Sequence, residues 1–180
     1  MERHRIIFSG SGGQGIITAS IIIAEAAVLY ENLNAVQVQA YGPEARGGAT
    51  RADVIISDKE IRFPKVIQPN ILICLTQKAY DKFLKTIRPG GLLLVDSHFV
   101  IPGSRVDARQ VSLDIYKTII NDIGNAVVFN IGVLGAFLGL TRIIKPASVI
   151  EVLKRRTPPD YFDINIRALE IGLAKAEDIE

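Results

Sequence analysis

A chain of 180 residues suits one α/β domain, taken here as residues 1–180. With 21 Lys plus Arg against 19 Asp plus Glu, its net charge is only +2. That balance speaks against nucleic acid, which needs a broad basic stripe; the one dense basic run, Lys154-Arg155-Arg156, reads as a helix end complementing the last carbonyls. The lone Cys74 excludes an intrachain disulfide framework and a self-held iron–sulfur cluster, and within the apolar run 71–75 it reads as a small core residue.

Strand-length apolar runs alternate with helical patterns, the signature of βαβ units. The start, Met1-Glu2-Arg3-His4-Arg5, leads directly into Ile6-Ile7-Phe8, too short for a secretory signal, so a cytoplasmic protein is expected. Residues 5–9 form the first strand, glycines follow, and residues 16–30 form a helix apolar almost all round, hence buried on more than one side. Residues 35–40 are a second strand and 51–57 a third. Asp58-Lys59-Glu60 is expected to turn that third strand back into Ile61-Arg62-Phe63 as a hairpin ended by Pro64.

Residues 71–75 are a buried strand, Thr76 caps a helix over 77–87, and Pro89-Gly90-Gly91 breaks the chain before a strand at 92–95. Residues 109–113 are a further short strand. Beyond them the chain turns helical, over 115–123, 127–140, 146–155 and 161–176. Gly132, Gly135 and Gly139 lie on one helix face and permit close packing. The apolar stretch 126–140, interrupted by Asn130, falls short of the roughly 20 residues that span a bilayer, so no membrane association is expected. The fold expected is Rossmann-like: a mainly parallel sheet, flanking helices and a helical C-terminal part. With 48% hydrophobic residues, some apolar surface is expected to be covered by other subunits.

Gly10-Ser11-Gly12-Gly13-Gln14-Gly15 matches G-x-G-x-x-G between a strand and a helix. Glycines there allow a tight turn and close ligand approach, and the helix N-terminus offers unpaired N–H groups to a phosphate. The same glycines would equally serve tight helix packing or a partner's backbone. Ordinary nicotinamide binding is disfavoured, because the second strand ends Gln37-Val38-Gln39-Ala40 with no acid for the ribose; the Walker lysine is absent too.

Tyr41-Gly42-Pro43-Glu44-Ala45-Arg46-Gly47-Gly48 follows the second strand and is expected to flank the same crevice as the glycine loop. Arg46 has a forked donor array for phosphate or carboxylate; paired with Glu44 it would merely order the loop. Asp96-Ser97-His98 is placed at the same edge, with His98 open as a base, a ligand or neither. No catalytic set and no metal-ligand spacing can be assembled.

The glycine loop with Ile16, the Tyr41–Gly48 segment, then Ile56-Ser57-Asp58 and the Pro64 segment, resemble the γ subunit of 2-oxoacid:ferredoxin oxidoreductases. The likeness spans roughly residues 5–140. The Gly-Pro-Glu-Ala-Arg-Gly-Gly form resembles the 2-oxoglutarate type most, with pyruvate and ketoisovalerate types as relatives. The resemblance implies a complex converting a 2-oxoacid and coenzyme A to acyl-CoA and carbon dioxide while reducing ferredoxin. Thiamine diphosphate and iron–sulfur clusters would belong to α, β and δ subunits. This chain would be accessory, on the coenzyme A side, with Gly10, Ser11, Gly12, Gly13, Gln14, Gly15, Tyr41, Glu44, Arg46, Gly47 and Gly48 as binding residues and none catalytic. A free-standing nucleotide-binding Rossmann-like protein and a non-catalytic scaffold are the alternatives.

Overall fold

Ile6-Ile7-Phe8 supplies β-branched and aromatic residues for a strand buried on both faces, and β1 (His4–Gly10) runs through the middle of the sheet. A computed structural model describes residues 3–39, 49–103 and 106–179. After β1 come α1 (Ile16–Tyr30), β2 (Asn34–Gln39), β3 (Thr50–Ser57), β4 (Ile71–Cys74), α2 (Gln77–Phe83), β5 (Gly91–Asp96) and β6 (Ala108–Leu113). Four helices complete the chain: α3 (Ile115–Asp122), α4 (Phe129–Thr141), α5 (Pro146–Arg156) and α6 (Pro159–Glu177).

The sheet order is β2-β3-β1-β4-β5-β6. Parallel pairing joins β1 to β4, β4 to β5 and β5 to β6, while β3 is antiparallel to both β1 and β2. The mainly parallel α/β expectation therefore holds, with one reversed strand that it did not contain. The expected hairpin after β3 does not form. Both edges of β3 are already occupied, by β1 and β2, so residues 61–63 have no ladder to join and run as an irregular strap over one face.

Each face of the sheet carries its own core. Ile6 and Phe8 point to the side of α1 and α3–α6, whereas Ile7, Leu72 and Cys74 point to the side of α2. Cys74 is fully buried, and that burial pushes its thiol up, as suits an inert core residue. On the first face, α1 rests on β2 and β3 and is covered by α4 and α5, which explains its nearly unbroken apolar sequence. Phe8 of β1 meets Phe137 of α4 at 5.9 Å between ring centroids.

The small-residue face of α4 does what its spacing predicts. A Cβ on Gly135 would strike the Leu169 carbonyl, and one on Gly172 would strike the backbone of Gly132 and Ala136, so α4 and α6 touch backbone to backbone. On the second face Thr76 caps α2, its hydroxyl accepting from the Ala79 N–H at 3.2 Å. The run Lys154-Arg155-Arg156 forms the last turn of α5, as read.

Candidate functional site

The glycine loop sits at the C-terminal end of β1, where the chain's connections leave to opposite sides: α1 leads outward to β2, while β4 lies on the other flank. Such a switch point opens a crevice between neighbouring strand ends. Here residues 10–15 lie against the end of β4. Gln14 ties the two together, its Oε1 accepting the Ser11 N–H at 2.8 Å and its Nε2 donating to the Leu75 carbonyl at 2.9 Å. Ser11 N–H and the Gln14 amide are therefore committed within the chain and cannot both hold the loop and meet a ligand.

The four glycines divide into two kinds. Gly10 has no room for a Cβ, which would strike Gln14 Oε1, and a Cβ on Gly15 would come within 2.7 Å of the Asn130 side chain. These two serve packing. Gly12 and Gly13 face open space with nothing within 4 Å of a notional Cβ. Gly13 and Gly15 have φ of 88° and 70°, the left-handed region that glycine enters without strain. Gly15 is the N-cap of α1, and no side chain caps that helix, so its first N–H groups have no side-chain acceptor.

In the sequence Asn130 reads only as an interruption of an apolar run. It is 7% exposed, and its Nδ2 donates to the Gly15 carbonyl at 3.2 Å, the same oxygen that receives the Ala19 N–H at 3.0 Å. A buried amide in a helix of glycines and aliphatics needs a partner, and that need was the available signal. It ties the start of α4 to the start of α1. Beside it opens a recess of about 390 Å³ lined by Gly13, Gly15, Thr18, Asn130, Arg156 and Tyr161. Arg156 faces it already paired with Glu25, with nitrogen–oxygen distances of 2.6 and 2.5 Å; the hydrogen bonds and charge of Arg156 hold the Glu25 carboxyl below its usual value.

Tyr41, Glu44, Arg46, Gly47 and Gly48 lie outside the described residues. The described residues that flank them, Gln39 and Ala49, are at the same sheet edge as the glycine loop, since Gly10 pairs with Thr50 and Gln39 with Ala52. β2 is not the neighbour of β1, however. β3 separates them, so the two strand ends stand two strand spacings apart, about 9–10 Å. In a dinucleotide fold the ribose-holding acid comes from the strand adjacent to the first, and the interposed β3 removes that geometry as well as the acid.

Asp96 and His98 also end at this edge, and the structure assigns them mechanical work. Asp96 is fully buried and accepts N–H groups from His98 at 2.9 Å, Ile115 at 3.1 Å and Tyr116 at 2.9 Å, thereby capping α3 from a neighbouring strand. Burial raises its carboxyl, against the lowering effect of those three donors. His98 stacks on Tyr116 at 4.7 Å between centroids, beside Phe99. Among the described residues no three His, Cys, Asp or Glu side chains gather as a metal site would require. No helix among the described residues is long and apolar enough to cross a membrane.

The pattern of pyruvate ferredoxin/flavodoxin oxidoreductase matches residues 5–175. The chain belongs to that family. It is 42% identical to the 2-oxoglutarate synthase subunit KorC of Methanocaldococcus jannaschii, with 98% of this chain aligned to 96% of that protein. It is 34% identical to the ketoisovalerate oxidoreductase subunit VorA of Methanothermobacter thermautotrophicus over 98% of its own length, but this covers only 37% of VorA. The γ subunit of a keto/oxoacid ferredoxin oxidoreductase from Geobacter sulfurreducens superposes with a TM-score of 0.88 at 39% identity, covering 97% of this chain and 99% of that one. The γ-subunit resemblance carried by the two loop motifs is thus borne out, and the free-standing nucleotide-binding alternative is not favoured.

Proposed function

We propose that this chain is the γ-type subunit of a cytoplasmic 2-oxoglutarate:ferredoxin oxidoreductase and acts on the coenzyme A side of the reaction. The observation that carries the assignment is the end-to-end match to KorC: relatives of the same short length are named as 2-oxoglutarate synthase subunits. In this reading residues 1–180 form one domain without activity of its own. The α, β and δ subunits would complete the enzyme, with ferredoxin as electron acceptor. Thiamine diphosphate and iron–sulfur clusters would reside on those chains; a single buried cysteine leaves this one without the thiolates a cluster takes.

The glycine loop fits the anionic end of coenzyme A. Gly12 and Gly13 leave room for a phosphate to approach the backbone, and the uncapped start of α1 offers N–H donors and a partial positive charge. Gln14 holds the loop shut on β4, so that the cradle exists before the ligand arrives. Arg46, with Tyr41, Glu44, Gly47 and Gly48, would supply further contacts to the coenzyme and a fixed cation.

Co-expression with the other subunits should give turnover of 2-oxoglutarate that the isolated chain lacks. In that complex Arg46→Ala should raise the KM for coenzyme A by about tenfold or more, the loss of one charge-assisted contact. Turnover by the chain alone would sink the subunit assignment, whereas an unchanged KM with unchanged assembly would remove the coenzyme role.

A further inference from the structure

The strap that follows β3 is pinned at several points. The Val66 N–H donates to Asp53 Oδ2 at 3.2 Å, and the Val66 carbonyl accepts from Arg51 at 2.5 Å. Arg51 also grips Asp53 through two nitrogens, at 2.5 and 2.9 Å, and lies over the Phe83 ring. Farther on, Asn70 exchanges hydrogen bonds with Arg5: its N–H donates to the Arg5 carbonyl at 2.8 Å and its Oδ1 accepts the Arg5 N–H at 2.9 Å. Pro64 and Pro69 add two fixed φ angles.

Held this way, the strap turns Val66 inward at 1% exposure and sends Phe63 and Ile67 outward at 56% and 66%. Two large apolar side chains on a fixed, irregular backbone are an unusual thing to leave in water, and here they do not shield a core. Lys65 stands between them. Two recesses flank the strap and share Lys65 and Ile67: one of about 680 Å³, floored by Val38, Pro64, Val66 and Phe83, and one of about 550 Å³, walled by Arg5, Phe63, Lys65 and Arg88. Among the described residues, the one carboxylate lining either is Asp53, whose oxygens are engaged by Arg51 and Val66. The net result is an apolar groove opening into a basic one.

We propose that this strap is a docking surface for an acidic protein segment with apolar anchors, carried by another chain of the same oxidoreductase. The proposal rests on the subunit assignment for the identity of the partner and on charge complementarity for its chemistry. Carboxylates would meet Arg5 and Lys65, and an apolar side chain would lie across Phe63 and Ile67 into the groove by Val38. The ordering of the strap is complete beforehand, which lowers the cost of docking. The site lies on the face of the sheet that α2 covers.

Two experiments decide it. The full chain, isotope-labelled for NMR, is titrated with two short synthetic peptides that share the same apolar residues, one carrying Asp and Glu, the other Lys in their place. The acidic peptide should shift residues 61–68 and bind at least about tenfold tighter than its lysine twin. Lys65→Glu and the pair Phe63→Ser, Ile67→Ser should each weaken it by about that factor, with folding unchanged by circular dichroism. Equal binding of the two peptides, shifts confined elsewhere, or tighter binding to phosphatidylglycerol vesicles would overturn the proposal. In the co-expressed complex, a photo-reactive group at position 63 should cross-link to an acidic stretch of another subunit; a cross-link to a second copy of this chain would overturn it. If no subunit co-purifies at all, the functional assignment falls, and the peptide titration still decides the surface.

Discussion

The two faces of the sheet are finished very differently. On one side α1 and α3–α6 bury Ile6, Phe8, Val54 and Ile73 beneath a continuous helical layer. On the other, among the described residues, α2 is the one α-helix, and the strap covers part of the rest, leaving Val38, Phe63 and Ile67 in solvent. The second face is the thinner of the two, with a smaller buried cluster.

The contrast is broken most severely at the contact between α4 and α6. Gly172→Val would drive a side chain into the α4 backbone, which cannot rotate away; unfolding by denaturant should show a loss of about 4 kcal/mol or more, or no cooperative transition. Next comes Asp96→Ala, which takes the acceptor from three N–H donors at the sheet edge, that of Ile115 buried, and should cost about 2 kcal/mol, measured the same way. On the thin face, Thr76→Ala removes the cap of α2 and should cost about 1 kcal/mol, while hydrogen exchange in α4 and α6 stays as before.

The smallest effect is acid loosening of the thick face at the α1–α5 contact. Arg156 lowers the Glu25 carboxyl through its hydrogen bonds. Burial raises Glu31, but the Ser148 hydroxyl and the Lys145 N–H outweigh it and leave that carboxyl lowered too. A carboxylate with a lowered folded-state pKa stabilises fully above its unfolded value and loses that contribution as pH falls through the folded one. Thermal stability should therefore decline as pH drops below about 4.5, and less so in Arg156→Ala. Asp96, raised by burial, acts in the opposite sense, so the decline should steepen in Asp96→Ala. A pH profile in Arg156→Ala identical to the parent's would show that the pair contributes nothing.

Local signals were legible wherever neighbours in sequence decide the outcome. The α1 boundaries, the Thr76 cap, the basic end of α5 and the close-packing face of α4 were all readable, because helix periodicity and capping are short-range effects. The glycine loop was legible as a motif, but the split between packed Gly10 and Gly15 and open Gly12 and Gly13 depends on Gln14 and on Asn130, far away along the chain.

By itself, then, the sequence determined the order of strands and helices, the place of the glycine loop and the family to which its motifs belong. Only the tertiary structure decided that β3 enters antiparallel between β1 and β2, and with it the loss of the expected hairpin and the exposure of the strap. Strand pairing is a choice among distant partners that look alike along the chain, since any apolar run of strand length can satisfy another's backbone. It is settled by which edges remain open once the sheet has formed.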